Sequence, residues 1–136
     1  MSKNIVINTL NGLANNKYIS LTTFRNNGEG VPTPVMFAIE NNKLYVETRA
    51  SRYKVNRIKN NPKVQFAPCR LKGKVIGPVI EGRARVLPAS EQEVAFNALR
   101  KRYFRFRLGD TISKIKSSNK KQDIDDRVYL EIIPEF

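Results

Sequence analysis

The residues of this chain best suited to chemistry lie between Thr48 and Arg57, in the run Thr-Arg-Ala-Ser-Arg-Tyr-Lys-Val-Asn-Arg. A strand pattern ends there and a helix pattern begins almost at once. A helix start offers free backbone N–H groups and the positive end of the helix dipole, and both favour an anion. Thr48 and Ser51 add hydroxyl donors, Ser51 in the place expected of an N-cap. Lys54 and Arg57 are spaced i, i+3 and so project from one helical face, with Arg49 close by. A guanidinium grips phosphate through two parallel hydrogen bonds, and an ammonium adds a mobile point charge. The chemistry implied is phosphate binding. No glycine-rich loop accompanies these residues, so a P-loop is excluded. The competing reading is a solvated basic helix.

A second segment, Val31-Pro-Thr-Pro-Val35, carries two prolines in a strand pattern. Proline removes a backbone donor and is confined to edges and bulges of sheets. This strand is therefore an edge or is bulged. Alternatively, the carbonyls around Pro34 and the N–H of Val35 or Met36 face a ligand.

The elements that must position these segments read as follows. Residues 4–15 suit a short amphipathic helix, and 18–25 a strand rich in β-branched and aromatic types. Residues 31–40 alternate, with Val31, Thr33, Val35, Phe37 and Ile39 on one face. Asn41-Asn42 suits a tight hairpin into the strand 44–48, because Asn tolerates positive φ. The helix capped by Ser51 ends at Asn61-Pro62. Strands are expected at 63–70 and at 75–87, the latter interrupted by Gly77-Pro78. Ser90-Glu-Gln-Glu93 reads as a capping box. It opens a helix whose apolar side holds Val94, Ala98, Leu99, Tyr103 and Phe106. Gly109 ends it, Asp110 can cap a further short helix, and 127–133 form the last strand. About six antiparallel strands joined by hairpins close most readily into a barrel. Strands that do not alternate with crossover helices argue against an open α/β sheet.

Composition narrows the chemistry further. The 136 residues fit a single domain, 1–136, with 40% hydrophobic and 27% charged residues. Histidine is absent and Cys69 is the lone cysteine. That excludes a Ser-His-Asp triad, a Cys-His pair, a His-ligated metal and a disulfide framework. Cys69 reads as a small core residue, and a reducing, cytoplasmic compartment is expected. No apolar run approaches a membrane span. A net charge of +13 favours anionic partners. Beyond the 49–59 region, the excess is concentrated in Arg70, Lys72 and Lys74, in Arg100 to Arg107, and in Lys114 to Lys121.

A series of short segments carries a family resemblance. In order they are Thr22-Thr-Phe-Arg25, Gly30 to Phe37, Leu44-Tyr-Val-Glu-Thr48, Lys54-Val-Asn-Arg-Ile58, Asn61-Pro-Lys-Val64, Ala67-Pro-Cys69 and Glu81-Gly-Arg-Ala-Arg-Val-Leu87. Over roughly residues 17–134 the chain resembles the pyridoxamine-phosphate-oxidase-like split-barrel family, and most of all its coenzyme F420-dependent oxidoreductase branch. The resemblance implies a mainly β fold: a six-stranded antiparallel split β-barrel with a few short helices. It also implies a homodimer with FMN or F420 bound at the subunit interface. By position, Thr48 and Lys54 match the family's cofactor-phosphate residues, with Arg49, Ser51 and Arg57 as helpers. Thr33, Pro34, Val35 and Met36 match the strand whose backbone lines the flavin or deazaflavin ring. The C-terminal Trp and Arg features of true pyridoxamine-phosphate oxidases are missing, which argues against pyridoxal phosphate synthesis.

A flavin-type cofactor carries the hydride itself, so a chain without histidine or a nucleophile can still be an oxidoreductase. The expected reaction is hydride transfer between bound F420 or FMN and a small organic substrate. Tyr45, Tyr53 and Tyr103 are candidate proton donors. The acidic tail of the deazaflavin would find cations in Arg70, Lys72 and Lys74. Two rival readings stand beside this one. The first is a flavin-binding storage or sensor protein without turnover. The second is a small basic barrel gripping nucleic acid through Arg100 to Arg107 and the interleaved aromatics.

Overall fold

The computed structural model describes residues 3–106 and 126–135. A helix, α1 (Lys3–Ala14), is followed by four strands, β1 (Tyr18–Phe24), β2 (Gly30–Met36), β3 (Ala38–Glu40) and β4 (Lys43–Arg49). Helix α2 (Tyr53–Asn60) leads to β5 (Lys63–Cys69) and β6 (Ile80–Val86). A 3-10 turn at Ala89–Glu91 precedes α3 (Gln92–Phe106), and β7 (Arg127–Glu135) completes the order.

All strand pairs are antiparallel, and the spatial order is β2-β1-β5-β6-β7-β4-β3. The two edge strands, β2 and β3, are consecutive in the chain and separated only by Phe37. The sheet thus curls until one bent stretch of chain, residues 30–40, supplies both of its edges. Counted as one bent strand, that stretch gives the six strands expected among the described residues; counted as two, it gives seven. The alternation of residues 31–40 does not run unbroken, because Phe37 is 0% exposed and occupies the bend.

Inward-facing side chains of every strand meet inside the curl. Ile19, Leu21, Phe37, Leu44, Val46, Val64, Phe66, Leu130 and Ile132 form this core, with Leu10 and Leu13 of α1 and Ile58 of α2 packed against it. Gly82 of β6 lies so close to its neighbour that a Cβ there would stand 2.8 Å from the Ile133 carbonyl oxygen. The β3–β4 hairpin turns through Asn41 (φ 54°) and Asn42 (φ 63°), as the sequence predicts.

A second cluster lies on the outer face, where Ala95, Ala98 and Leu99 of α3 cover Ala38, Tyr45, Leu87 and Tyr129. The buried side of α3 therefore runs through Ala95 rather than Val94, which is 38% exposed. The side chains of Tyr103 and Phe106, and the helix stop and cap at Gly109 and Asp110, lie outside the described residues. The strand expected from Val75 begins at Ile80, and Val75 makes only an isolated bridge to Cys69. The capping box at Ser90 is not used: the 3-10 turn is preceded by Pro88 and has no side-chain cap. Glu91 instead accepts from Arg85 of β6, Nη2 to Oε1 at 2.7 Å.

Arg102 of α3 fastens the closure. Its guanidinium donates to the carbonyls of Ala14 (3.3 Å) and Asn16 and lies 4.4 Å from the centroid of the Phe37 ring. The end of α1, the body of α3 and the bend between β2 and β3 are thus held by one side chain.

Candidate functional site

One end of the barrel is closed by α2, and the basic residues singled out above sit there. Val55 and Ile58 are buried beneath the helix. Thr48 follows Leu44 and Val46 in the inward-facing positions of β4, and Thr23 follows Ile19 and Leu21 in those of β1. Both threonines stand at the rim where α2 seats. Lys54 donates from Nζ to Thr48 Oγ1 at 3.4 Å, and Arg57 donates from Nε to Thr23 Oγ1 at 2.7 Å. Two cations are thereby fixed on two rim hydroxyls. Burial, then the charges of Arg52 and Arg57, push the Lys54 amine below its ordinary value. Among the described residues no carboxylate pairs with Lys54 or Arg57.

Ser51 is not the N-cap. Arg52 holds that position without a side-chain cap, and Ser51 donates to Asp126 at 3.1 Å. The turn it occupies is pinned to β7, since the Ala50 N–H also donates to the Asp126 carbonyl at 2.8 Å. Arg49 ends β4, in register with Arg127, and its side chain is exposed. Sequence reading missed Thr23 and Asp126. Thr23 was legible in part, because it shares parity with Ile19 and Leu21 in an alternating strand; Asp126 is remote in sequence and carried no signal.

The ring strand expected from the resemblance is β2, and it is an edge. Its register opposite β1 places Val31 against Thr23, Thr33 against Leu21 and Val35 against Ile19. The Thr33 and Val35 side chains therefore point inward and are half-buried, whereas Pro34 is exposed on the outer face and Met36 half-buried there. Pro32 and Pro34 share one parity, so the N–H groups they lack belong to the outward-pointing set. The free edge of β2 then presents carbonyl acceptors, with the Met36 N–H outward and the Val35 N–H turned toward β1.

The Arg70–Lys74 turn stands at the other end of β1 from Arg57. It is closed by Arg70 N–H to the Lys74 carbonyl at 2.9 Å, with Gly73 at φ +95°. A Cβ on Gly73 would lie 4.0 Å from the Pro34 ring. The structure places Arg70, Lys72 and Lys74 beside the edge strand rather than beside Lys54.

The tyrosine candidates separate as clearly. Tyr45 is buried under α3, where it donates to Glu131 at 3.2 Å. Glu131 also accepts from Arg85 Nε at 3.0 Å. Burial first, and then Glu131, push the Tyr45 phenol up to about 12, and its O–H is directed to Glu131 under α3 rather than to the rim beside Lys54. Because the folded phenol titrates above the ordinary value of 10, its stabilisation is full below pH 10 and is lost as pH rises toward about 12. Tyr45→Phe is expected to flatten the alkaline loss of stability over that window in urea melts. Tyr53 is 79% exposed at the start of α2. The Tyr103 side chain lies outside the described residues. Cys69 is buried, and burial pushes its thiol up, in keeping with a core residue.

The sequence profile of the pyridoxamine 5'-phosphate oxidase family matches residues 8–135, and the chain belongs to that family. No curated protein matches it. Among solved structures, an FAD-binding protein from Mesorhizobium loti is similar at 18% identity and TM-score 0.65, covering 100% of this chain and 91% of that one. The heme storage protein HutZ from Vibrio cholerae aligns at 13% identity and TM-score 0.64, over 96% of this chain and 91% of its own. General Stress Protein 26 from Bacillus anthracis aligns at 21% identity and TM-score 0.62, over 96% and 88%. The split-barrel fold is common to all of them. No helix among the described residues is long and apolar enough to cross a membrane.

Proposed function

We propose that this protein binds a flavin-type cofactor, FMN or coenzyme F420, and acts as an oxidoreductase on a small organic substrate, as a cytoplasmic homodimer. The observation that carries the reading is a pair of cations, Lys54 and Arg57, seated on the inward hydroxyls of Thr48 and Thr23 with no carboxylate partner among the described residues. A phosphate dianion is the partner such a pair lacks. The rim fits the group: the two hydroxyls orient the cations, and among the described residues no carboxylate competes for them. Bound there, the cofactor would supply the hydride chemistry for which the chain has no side chains.

Along β1 and β2, Pro34 lies three residues from the level of Thr23, or about 10 Å at the usual rise per residue. That is on the order of the reach of a ribityl chain, so a phosphate held by Lys54 and Arg57 would bring the ring within reach of β2. There the outward carbonyls of Pro32 and Pro34 can accept from it. The FAD-binding protein of the same fold supports the flavin reading. The heme storage protein offers less support, because this chain has no histidine to serve as a heme ligand.

The acidic tail of the deazaflavin is joined through its phosphate, so it would leave the phosphate end away from the ring. Arg52 and Lys59 of α2 are then better placed for it than Arg70, Lys72 and Lys74, which flank the ring strand. The nucleic-acid reading is weakened by Arg102, which is turned inward onto carbonyls and Phe37.

Fluorescence titration with FMN and with F420 tests the reading. Saturable binding of either, followed by hydride exchange with an unsaturated substrate, is the expected result. Tight binding without turnover would favour a storage or sensor role. Binding of neither would overturn the proposal. Light scattering should give two chains per particle, and one chain would remove the shared-interface element.

A further inference from the structure

Lys54 has the attributes of a nucleophile that its part in phosphate binding does not require. Its only protein partner among the described residues is a hydroxyl, Thr48 Oγ1 at 3.4 Å. The amine is half-buried, and no acid lies in the first turn of α2. Burial first, and then the charges of Arg52 at the N-cap and Arg57 within α2, favour its neutral, nucleophilic form. Arg57 is anchored through Nε, and its terminal nitrogens carry no hydrogen bond among the described residues. A phosphate-binding guanidinium therefore stands three residues from an amine with reduced proton affinity.

We propose that Lys54 is an acylation site for acyl phosphates, which lodge their phosphate on the Arg57 side of the rim and transfer the acyl group to Lys54 Nζ. This rests on the phosphate reading of the site given above. In the transfer, the Nζ lone pair attacks the acyl carbon and a C–N bond forms. The bond from that carbon to the phosphate oxygen breaks, inorganic phosphate leaves with the electron pair, and the amine proton passes to water. No oxidant or reductant is needed. The product amide carries no charge, so acylation removes half of the cation pair and lowers affinity for any phosphorylated cofactor. The site would then weaken as acyl phosphate accumulates.

The test is incubation of the full chain with acetyl phosphate, with peptide mass mapping over time. Lys59, exposed on the same helix, is the internal reference. Lys54 is expected to acetylate several-fold faster than Lys59. FMN or inorganic phosphate should slow Lys54 and leave Lys59 unchanged, and Arg57→Ala should slow Lys54 selectively. Equal rates at Lys54 and Lys59 in a protein that still binds FMN would overturn the acylation proposal and leave the phosphate reading standing. Equal rates in a protein that binds no FMN would overturn both. Fast labelling of Lys54 that phosphate does not slow would also overturn the proposed route.

Discussion

Replacing Lys54 and Arg57 together by alanine is expected to lower FMN affinity by about 100-fold or more, since hydrogen bonds to charged groups contribute about 1.5–3 kcal/mol each. The loss should be steeper for the pair than for either residue alone, because one cation can still reorient toward the phosphate. Lys54→Ala leaves the Thr48 hydroxyl at a half-exposed rim, and Arg57→Ala frees that of Thr23, which is buried to 1% exposure. Arg57→Ala therefore carries a stability cost of about 1–3 kcal/mol as well. Thr23→Val separates the two effects: it unseats Arg57 without removing its charge. Fluorescence titration gives the affinities, and urea melts of the same samples show whether the fold persists. An unchanged FMN affinity in the double variant would exclude this rim as the phosphate site.

Phe37→Ala is expected to destabilise the fold by about 3–5 kcal/mol, the range for removing a fully buried aromatic ring. The position concentrates several roles. Phe37 fills the core at the bend, separates the two edge strands, and stacks under the Arg102 guanidinium. Arg102→Ala should cost less in packing but also remove the donors to Ala14 and Asn16. A double-mutant cycle between Phe37 and Arg102 is expected to show coupling, because the two side chains share one contact. Denaturant melts measure both. A loss below about 1 kcal/mol at Phe37 would mean that the bend does not hold the curl closed.

Much of the architecture was legible because period and turn chemistry agree with it. The paired asparagines at 41 and 42 fixed a hairpin, and the alternating runs around Ile19 and Leu44 fixed the inward faces. The break at Phe37 was not legible, since Phe37 keeps the parity of Val35 and Ile39 and only the closing of the sheet demands a bend. Val94 and Ala95 were exchanged on α3 for a related reason. Hydrophobicity favours valine as the buried residue, but close packing against the sheet selects the smaller alanine. Of the candidate site, types and spacing pointed to Lys54, Arg57 and Thr48, which the structure brings to one rim. Thr23 and Asp126 were missed because their contacts span long separations in sequence. Ser51 was misread as a cap because a local pattern cannot show that a distant carboxylate takes the hydroxyl.

The position of β7 has a consequence for how the chain is made. It pairs with β6 on one side and β4 on the other, yet it is the last of the described strands in chain order. Without it the sheet is two hydrogen-bonded pieces, β2-β1-β5-β6 and β4-β3, held to one another by the bend at Phe37 and by side-chain packing in the shared core. Each piece ends in an unpaired strand, β6 or β4, that will later be interior. Such edges template pairing with other chains. Arg127–Glu135 is thus the stave that closes the ring, and a chain in which it has not yet docked is expected to expose both edges at once.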